Sequence, residues 1–171
     1  MPNFIKPQGE IATPGETETN VLFHAGCIYL LGGSVGAAYD CFRQITPDRV
    51  STLFNRALCC YRAKEYSGAF QLLAEAEQLS AHGNFGGKKT GTDALTEKLY
   101  EAERPLDGHR APMPLVPASN RHARTQVLRL KAEVAYRLKM YEEVRRIASL
   151  LNGHYPQIND ILSDINSSTP L

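Results

Sequence analysis

An all-α fold of stacked helical hairpins is the class this sequence predicts, and two stretches carry the prediction. In residues 52–77, Leu53, Ala57, Cys60 and Tyr61 recur at helical spacing, Lys64 and Glu65 interrupt the stripe, and Tyr66, Ala69, Phe70, Leu73 and Ala76 begin a second one. Two short helices joined by a tight turn follow. Ala57 and Ala69 lie twelve positions apart, one in each helix, and methyl side chains at a crossing let two helix axes approach closely. Such a hairpin cannot bury its apolar face alone and needs copies beside it. The second stretch starts at Pro156, where Ile158, Ile161, Leu162 and Ile165 share one face against Asp160, Asp164 and Asn166. It predicts a terminal helix that covers the last hairpin.

Taken in order, residues 1–18 contain Pro2, Pro7, Gly9, Pro14 and Gly15 among polar residues, which predicts an extended or disordered lead-in, with Phe4 and Ile5 as the anchor if it lies along a groove. The first helix is expected to be capped by Thr19 or Asn20 and to stop at Gly32 and Gly33, with a partner from Val35 to Gln44. Thr46, Pro47 and Asp48 turn the chain into the central hairpin, with Asp48 or Ser51 as its cap. After Leu79 the pattern gives way to SAHGNFGGKKTGT, a glycine-rich loop. It is no phosphate-binding loop, because Lys88 is followed by Lys89 and no apolar strand leads in. Thr92 or Asp93 is expected to cap a helix through Glu103, and the proline-rich run from Pro105 to Ser119 to drape extended over the hairpins. A last hairpin runs from Asn120 to Asn152 and Gly153, followed by the terminal helix over residues 156–167.

The chain's 171 residues fit one domain, residues 19–167, with an insertion at 80–120. A net charge of +1 shows no global basicity, so nucleic acid is not indicated by composition. No run approaches the roughly 18 apolar residues of a membrane span. The amino terminus MPNFIKPQGE has no charged-then-apolar pattern, and a cytoplasmic location is the expectation. Cys27, Cys41, Cys59 and Cys60 form no CxxC pair and read as small buried hydrophobes. The five histidines, at 24, 82, 109, 122 and 154, show no metal-ligand spacing, and no nucleophile motif appears. No catalytic residue, metal or cofactor is expected.

One ruler fits three places. Gly26, Tyr29, Ala38 and Phe42 match the pattern in VLFHAGCIYLLGGSVGAAYDCFRQI, and Ala132, Tyr136, Tyr141, Val144 and Ala148 match it in QVLRLKAEVAYRLKMYEEVRRIASLL, with Pro156 closing. With the central unit, this resembles the tetratricopeptide repeat family, as three repeats at about 19–45, 50–79 and 121–152. The chain departs from the family in having no Trp, a first offset of 31 where about 34 is usual, Val144 at the second small position, and the insertion. The resemblance implies an α-α superhelix whose first helices line a concave groove. By the family's positions, Phe23, Cys27, Leu30 and Leu31, then Phe54, Leu58, Tyr61 and Arg62, then Arg129, Glu133, Tyr136 and Arg137 would project into it.

One end of that groove would be apolar and aromatic and the other would carry arginines. It implies a scaffold or adaptor that binds a peptide or helix with a hydrophobic anchor and an acidic or carboxylate end. Asn55 stands where chaperone-binding relatives place a clamp asparagine, yet Phe23, Cys27, Gln126 and Leu130 occupy the other clamp positions, so that ligand is rejected. Two alternatives stand beside this reading. One is homotypic assembly or partner binding through the insertion, with the groove filled by the insertion or the N-terminal segment; the other is nucleic-acid association through Arg121, Arg124, Arg129, Lys131, Arg137, Lys139, Arg145 and Arg146 of the third repeat.

Overall fold

The computed structural model describes residues 14–82, 108–117, 119–152 and 155–168. Among these residues it is all-α: α1 (Pro14–Leu31), α2 (Val35–Arg43), α3 (Val50–Arg62), α4 (Tyr66–His82), α5 (Asn120–Arg137), α6 (Tyr141–Leu151) and α7 (Pro156–Ser168), with a short 3-10 turn at Gly108–Arg110 ahead of α5. The glycine-rich loop beyond His82 and the helix expected over 92–103 lie outside the described residues. No described helix is long and apolar enough to cross a membrane.

Helix α1 begins at Pro14 and not at Thr19 or Asn20. Proline is at home in a first turn, where a missing N–H costs nothing, and Glu16 and Glu18 suit the positive end of the helix dipole. Helix α3 starts after Arg49, with neither Asp48 nor Ser51 as its cap. The Thr52 hydroxyl accepts from the Arg49 N–H at 2.9 Å, Asp48 pairs with Arg56 at 3.2 Å, and Ser51 is drawn elsewhere. At α5, Ser119 Oγ accepts from the His122 N–H.

Three hairpins, α1/α2, α3/α4 and α5/α6, close through the same turn. In each, the residue after the turn donates its N–H five residues back: Ser34 to the Tyr29 carbonyl at 2.9 Å, Glu65 to Cys60 at 2.8 Å, Met140 to Ala135 at 2.8 Å. That bond needs a left-handed residue just before the donor, and Gly33, Lys64 and Lys139 supply φ of 83°, 63° and 59°. Glycine adopts this conformation freely, so only in the first turn does the left-handed residue itself announce its conformation.

The hairpins pack in chain order, α2 against α3 and α4 against α5, with α7 on α5 and α6. Ala57 and Ala69 are fully enclosed in the main core with Leu53, Leu73 and Ala76. In the first hairpin the close contact is Gly26 against the enclosed Phe42 ring, which also meets Phe23 edge-on at 5.4 Å. A Cβ at Gly26 would lie 2.7 Å from Phe42 Cε1. Gly26→Ala is therefore expected to lower stability by about 1–3 kcal/mol through overpacking, read as a shift in denaturant midpoint. Beyond α5, Leu128, Ala132, Ile147, Leu151 and Ile158 form one smaller cluster, and Ala135, Val144 and Ile165 another, which α7 covers.

Candidate functional site

Residues 108–117 lie along α3 and α5. The segment runs antiparallel to α3: the Arg110 carbonyl meets Arg62, the Met113 peptide meets Asn55, and the Leu115 carbonyl meets Ser51. Five residues of extended chain, at about 3.2 Å each, and eleven of helix, at about 1.5 Å each, both span roughly 16 Å. The lengths match, so an extended segment can stay in register with one helix face.

The middle of the segment is held by a carboxamide. Asn55 Nδ2 donates to the Met113 carbonyl at 2.9 Å, and Met113 N–H donates to Asn55 Oδ1 at 2.8 Å. Asn55 is fully enclosed and Met113 almost so, which makes this pair of bonds a buried peptide clamp. Pro112 and Pro114 have no N–H, so Met113 carries the one backbone donor between them and Asn55 satisfies it. Gln126 Nε2 donates to the Ala111 carbonyl at 2.8 Å, and Ser51 Oγ to the Leu115 carbonyl at 3.2 Å. All three side chains address backbone. The Met113 side chain joins the main core with Phe54, Leu58, Val127 and Leu130.

At the segment's other end is a charged node around Glu133, which is 4% exposed. His109 Nε2 lies 2.7 Å from Glu133 Oε2, Arg110 Nη2 donates to Oε1 at 2.6 Å with Nε at 3.2 Å from Oε2, and the Tyr61 hydroxyl donates to Oε1. A carboxylate can only accept here, so the His109 hydrogen sits on Nε2. Burial pushes the Glu133 carboxyl up, but the bonds from His109, Arg110 and Tyr61 outweigh it and hold the group at about 2. Burial, and then the bond to Glu133, pushes the Tyr61 phenol up to about 12.

Of the residues assigned from family positions, Asn55, Arg62 and Glu133 bond to the segment, and Tyr61 reaches it through Glu133. Arg62 spends its guanidinium on carbonyls, Leu30 at 2.6 Å and Arg110 at 3.4 Å. Phe54 and Leu58 are wholly enclosed core residues and present no free surface. Phe23 and Cys27, with Asn20, Val21, His24, Pro114 and Leu115, line a shallow cleft of ≈ 530 Å³ between α1 and the segment.

Arg129 and Tyr136 turn away from the segment toward the C-terminal helix. The Arg129 guanidinium lies 4.7 Å from the Tyr155 ring centroid and faces Gln157, and Tyr136 donates to Asp164 beside Tyr141. At 100° per residue they sit roughly 60–80° round α5 from the face that Gln126, Leu130 and Glu133 share. Arg137 is exposed at the end of α5. Part of the basic character of the third hairpin is used within the fold: Lys131 pairs with Glu77 and Glu143, Arg146 with the same two, and Arg145 with Glu142.

Ser51, Gln126, His109, Arg110 and Met113 were not singled out as site residues by sequence reasoning. The available signal was the polar stripe Ser51, Asn55, Arg62 on α3, at spacings of four and seven that share one face. No group of three or more potential metal ligands occurs among the described residues. No family model, no curated protein and no solved structure matches this chain.

Proposed function

We propose that this chain is a non-enzymatic scaffold of the tetratricopeptide kind, a superhelix of three hairpins and a capping helix whose groove holds an extended protein segment. The repeat reading is supported by the three identically closed turns and by the order in which the hairpins pack. The binding reading rests on one observation, the two hydrogen bonds between the Asn55 carboxamide and the Met113 peptide unit. A side chain that grips an N–H and a C=O of one residue reads backbone. It suits any extended chain and offers nothing to a helix, whose interior peptide groups are already paired.

The test is a random-peptide display library panned on the full-length chain. Selected peptides should be extended, often proline-containing, and, measured on chains that also carry Met113→Asp so that residues 108–117 do not compete through the same clamp, should bind at least about tenfold more weakly with Asn55→Ala than without it, since a backbone clamp of two hydrogen bonds is then missing. A set of amphipathic helical binders indifferent to Asn55 would count against the proposal.

A further inference from the structure

Resting on that reading, we propose that residues 108–117 are an intramolecular occupant of the groove, and that the partner segment which replaces them is cationic. It carries an arginine on Glu133 and, three positions on, an apolar side chain of about methionine's size in the Met113 pocket. The charge follows from Glu133. Its carboxylate is nearly buried, and Arg110 is the guanidinium that meets it. A chain that takes the segment's place covers Glu133 again, and a buried carboxylate without a close cation is costly. An arriving chain must therefore bring a cation, and an acidic end would meet Glu133 head on. This reverses the polarity that the arginine-bearing positions suggest, because Arg62 is spent on carbonyl oxygens and Arg129 on Tyr155.

The register follows from the amides. Counting from the arginine, Gln126 takes the carbonyl of the next residue, Asn55 both backbone groups of the third, and Ser51 the carbonyl of the fifth. The second and fourth positions, Pro112 and Pro114 here, make no N–H bond and tolerate proline. Exchange is asymmetric. Pro117 leads almost directly into the Ser119 cap of α5, so that end cannot leave without disturbing the helix start, whereas the Arg110 side chain is 46% exposed and its ion pair is open to water. Displacement begins at Arg110. Because the occupant is tethered, its effective concentration is on the order of millimolar, and a partner in trans meets that competition in the intact chain.

The probe is a labelled peptide GHRAPMPLVP, the sequence of residues 108–117, titrated by fluorescence anisotropy into full-length wild type, Met113→Asp and Arg110→Ala, each checked by circular dichroism. Met113→Asp ejects the segment by charging its pocket. Arg110→Ala loosens only the exposed ion pair and guards against a failure to fold. The expected result is binding at least about tenfold tighter to both variants than to wild type, and at least about tenfold weaker for the peptide carrying Glu in place of Arg110. Equal affinity for the Glu peptide would overturn the cationic assignment while leaving the groove intact. No binding to either folded variant would instead defeat the groove reading itself. Equal binding to wild type and both variants would remove the competition, and a segment-exchanged dimer of the wild type would make a second copy, not a partner, the occupant.

Discussion

Asn55→Ala is expected to cost about 2–4 kcal/mol and to release residues 108–117 from α3. The substitution strands the Met113 N–H and carbonyl, both in an enclosed position, and each unsatisfied buried group costs about 1–3 kcal/mol. Partial rehydration of the loosened segment sets the upper end. Two measurements check this: the urea midpoint, and trypsin cleavage after Arg110, a bond expected to be cut slowly while the Arg110 and Ala111 carbonyls are held by Arg62 and Gln126. Met113→Leu is the control, since a swap of similar volume in the same pocket should cost under about 1.5 kcal/mol and leave the bond protected. If Asn55→Ala keeps both the midpoint and the protection, the clamp contributes nothing and the segment is held by Met113 and the Glu133 node alone.

The helices were legible because their causes are local. Leu53, Ala57 and Tyr61 recur at helical spacing, and Gly32 and Gly33 stop a helix through their own backbone freedom. The turn at Lys64 was placed by the interruption of the stripe, whereas Lys139 was read only as one of a run of basic residues, and neither residue favours a positive φ. The start of α1 was misplaced since Pro14 and Gly15 read as breakers, whereas a proline at the first helical position is compatible with the helix.

The site was only half legible. Asn55 stood out by position, but its partner Met113 lies 58 residues along the chain, joined by a bond that no periodicity reports. Tyr61 and Glu133 were each assigned to the groove, yet their meeting depends on how α3 and α5 are set against each other. Arg129 and Tyr136 went to the other side of α5 because a terminal helix covers that side here, and a family position fixes a rotation about one helix, not the neighbour it will face. Lys131 was counted with a run of surface charge. It is 4% exposed, in the middle of α5.

That lysine carries the second large effect. Its Nζ lies 2.6 Å from Glu77 Oε2 and 2.9 Å from Glu143 Oε1, 4.9 Å from the Phe70 ring centroid, so one buried cation ties α4, α5 and α6 together. Lys131→Met keeps the volume and removes the charge. Glu77 and Glu143 then share only Arg146, which is 44% exposed and screened by water, so a loss of about 3 kcal/mol is expected at neutral pH.

The acid dependence distinguishes lost charge from lost packing. The Arg146 bond, against the opposing effect of burial and with help from Lys131, holds the Glu143 carboxyl at about 2. Burial raises Glu77, but Lys131 and Arg146 bring it below its ordinary value of 4.5. Folded values below unfolded ones mean stabilisation that is complete above about 4.5 and lost as the pH falls toward 2. Wild type should lose more than Lys131→Met across that window, because the variant has less of this stabilisation to lose. Both proteins keep the Glu133 contribution, which falls away equally. Denaturant midpoints at pH 7, 4.5, 3 and 2 should therefore converge. A gap that stays constant to pH 2 would assign the cost to packing against Phe70, and the absence of a gap at pH 7 would leave the three helices held by apolar contacts alone.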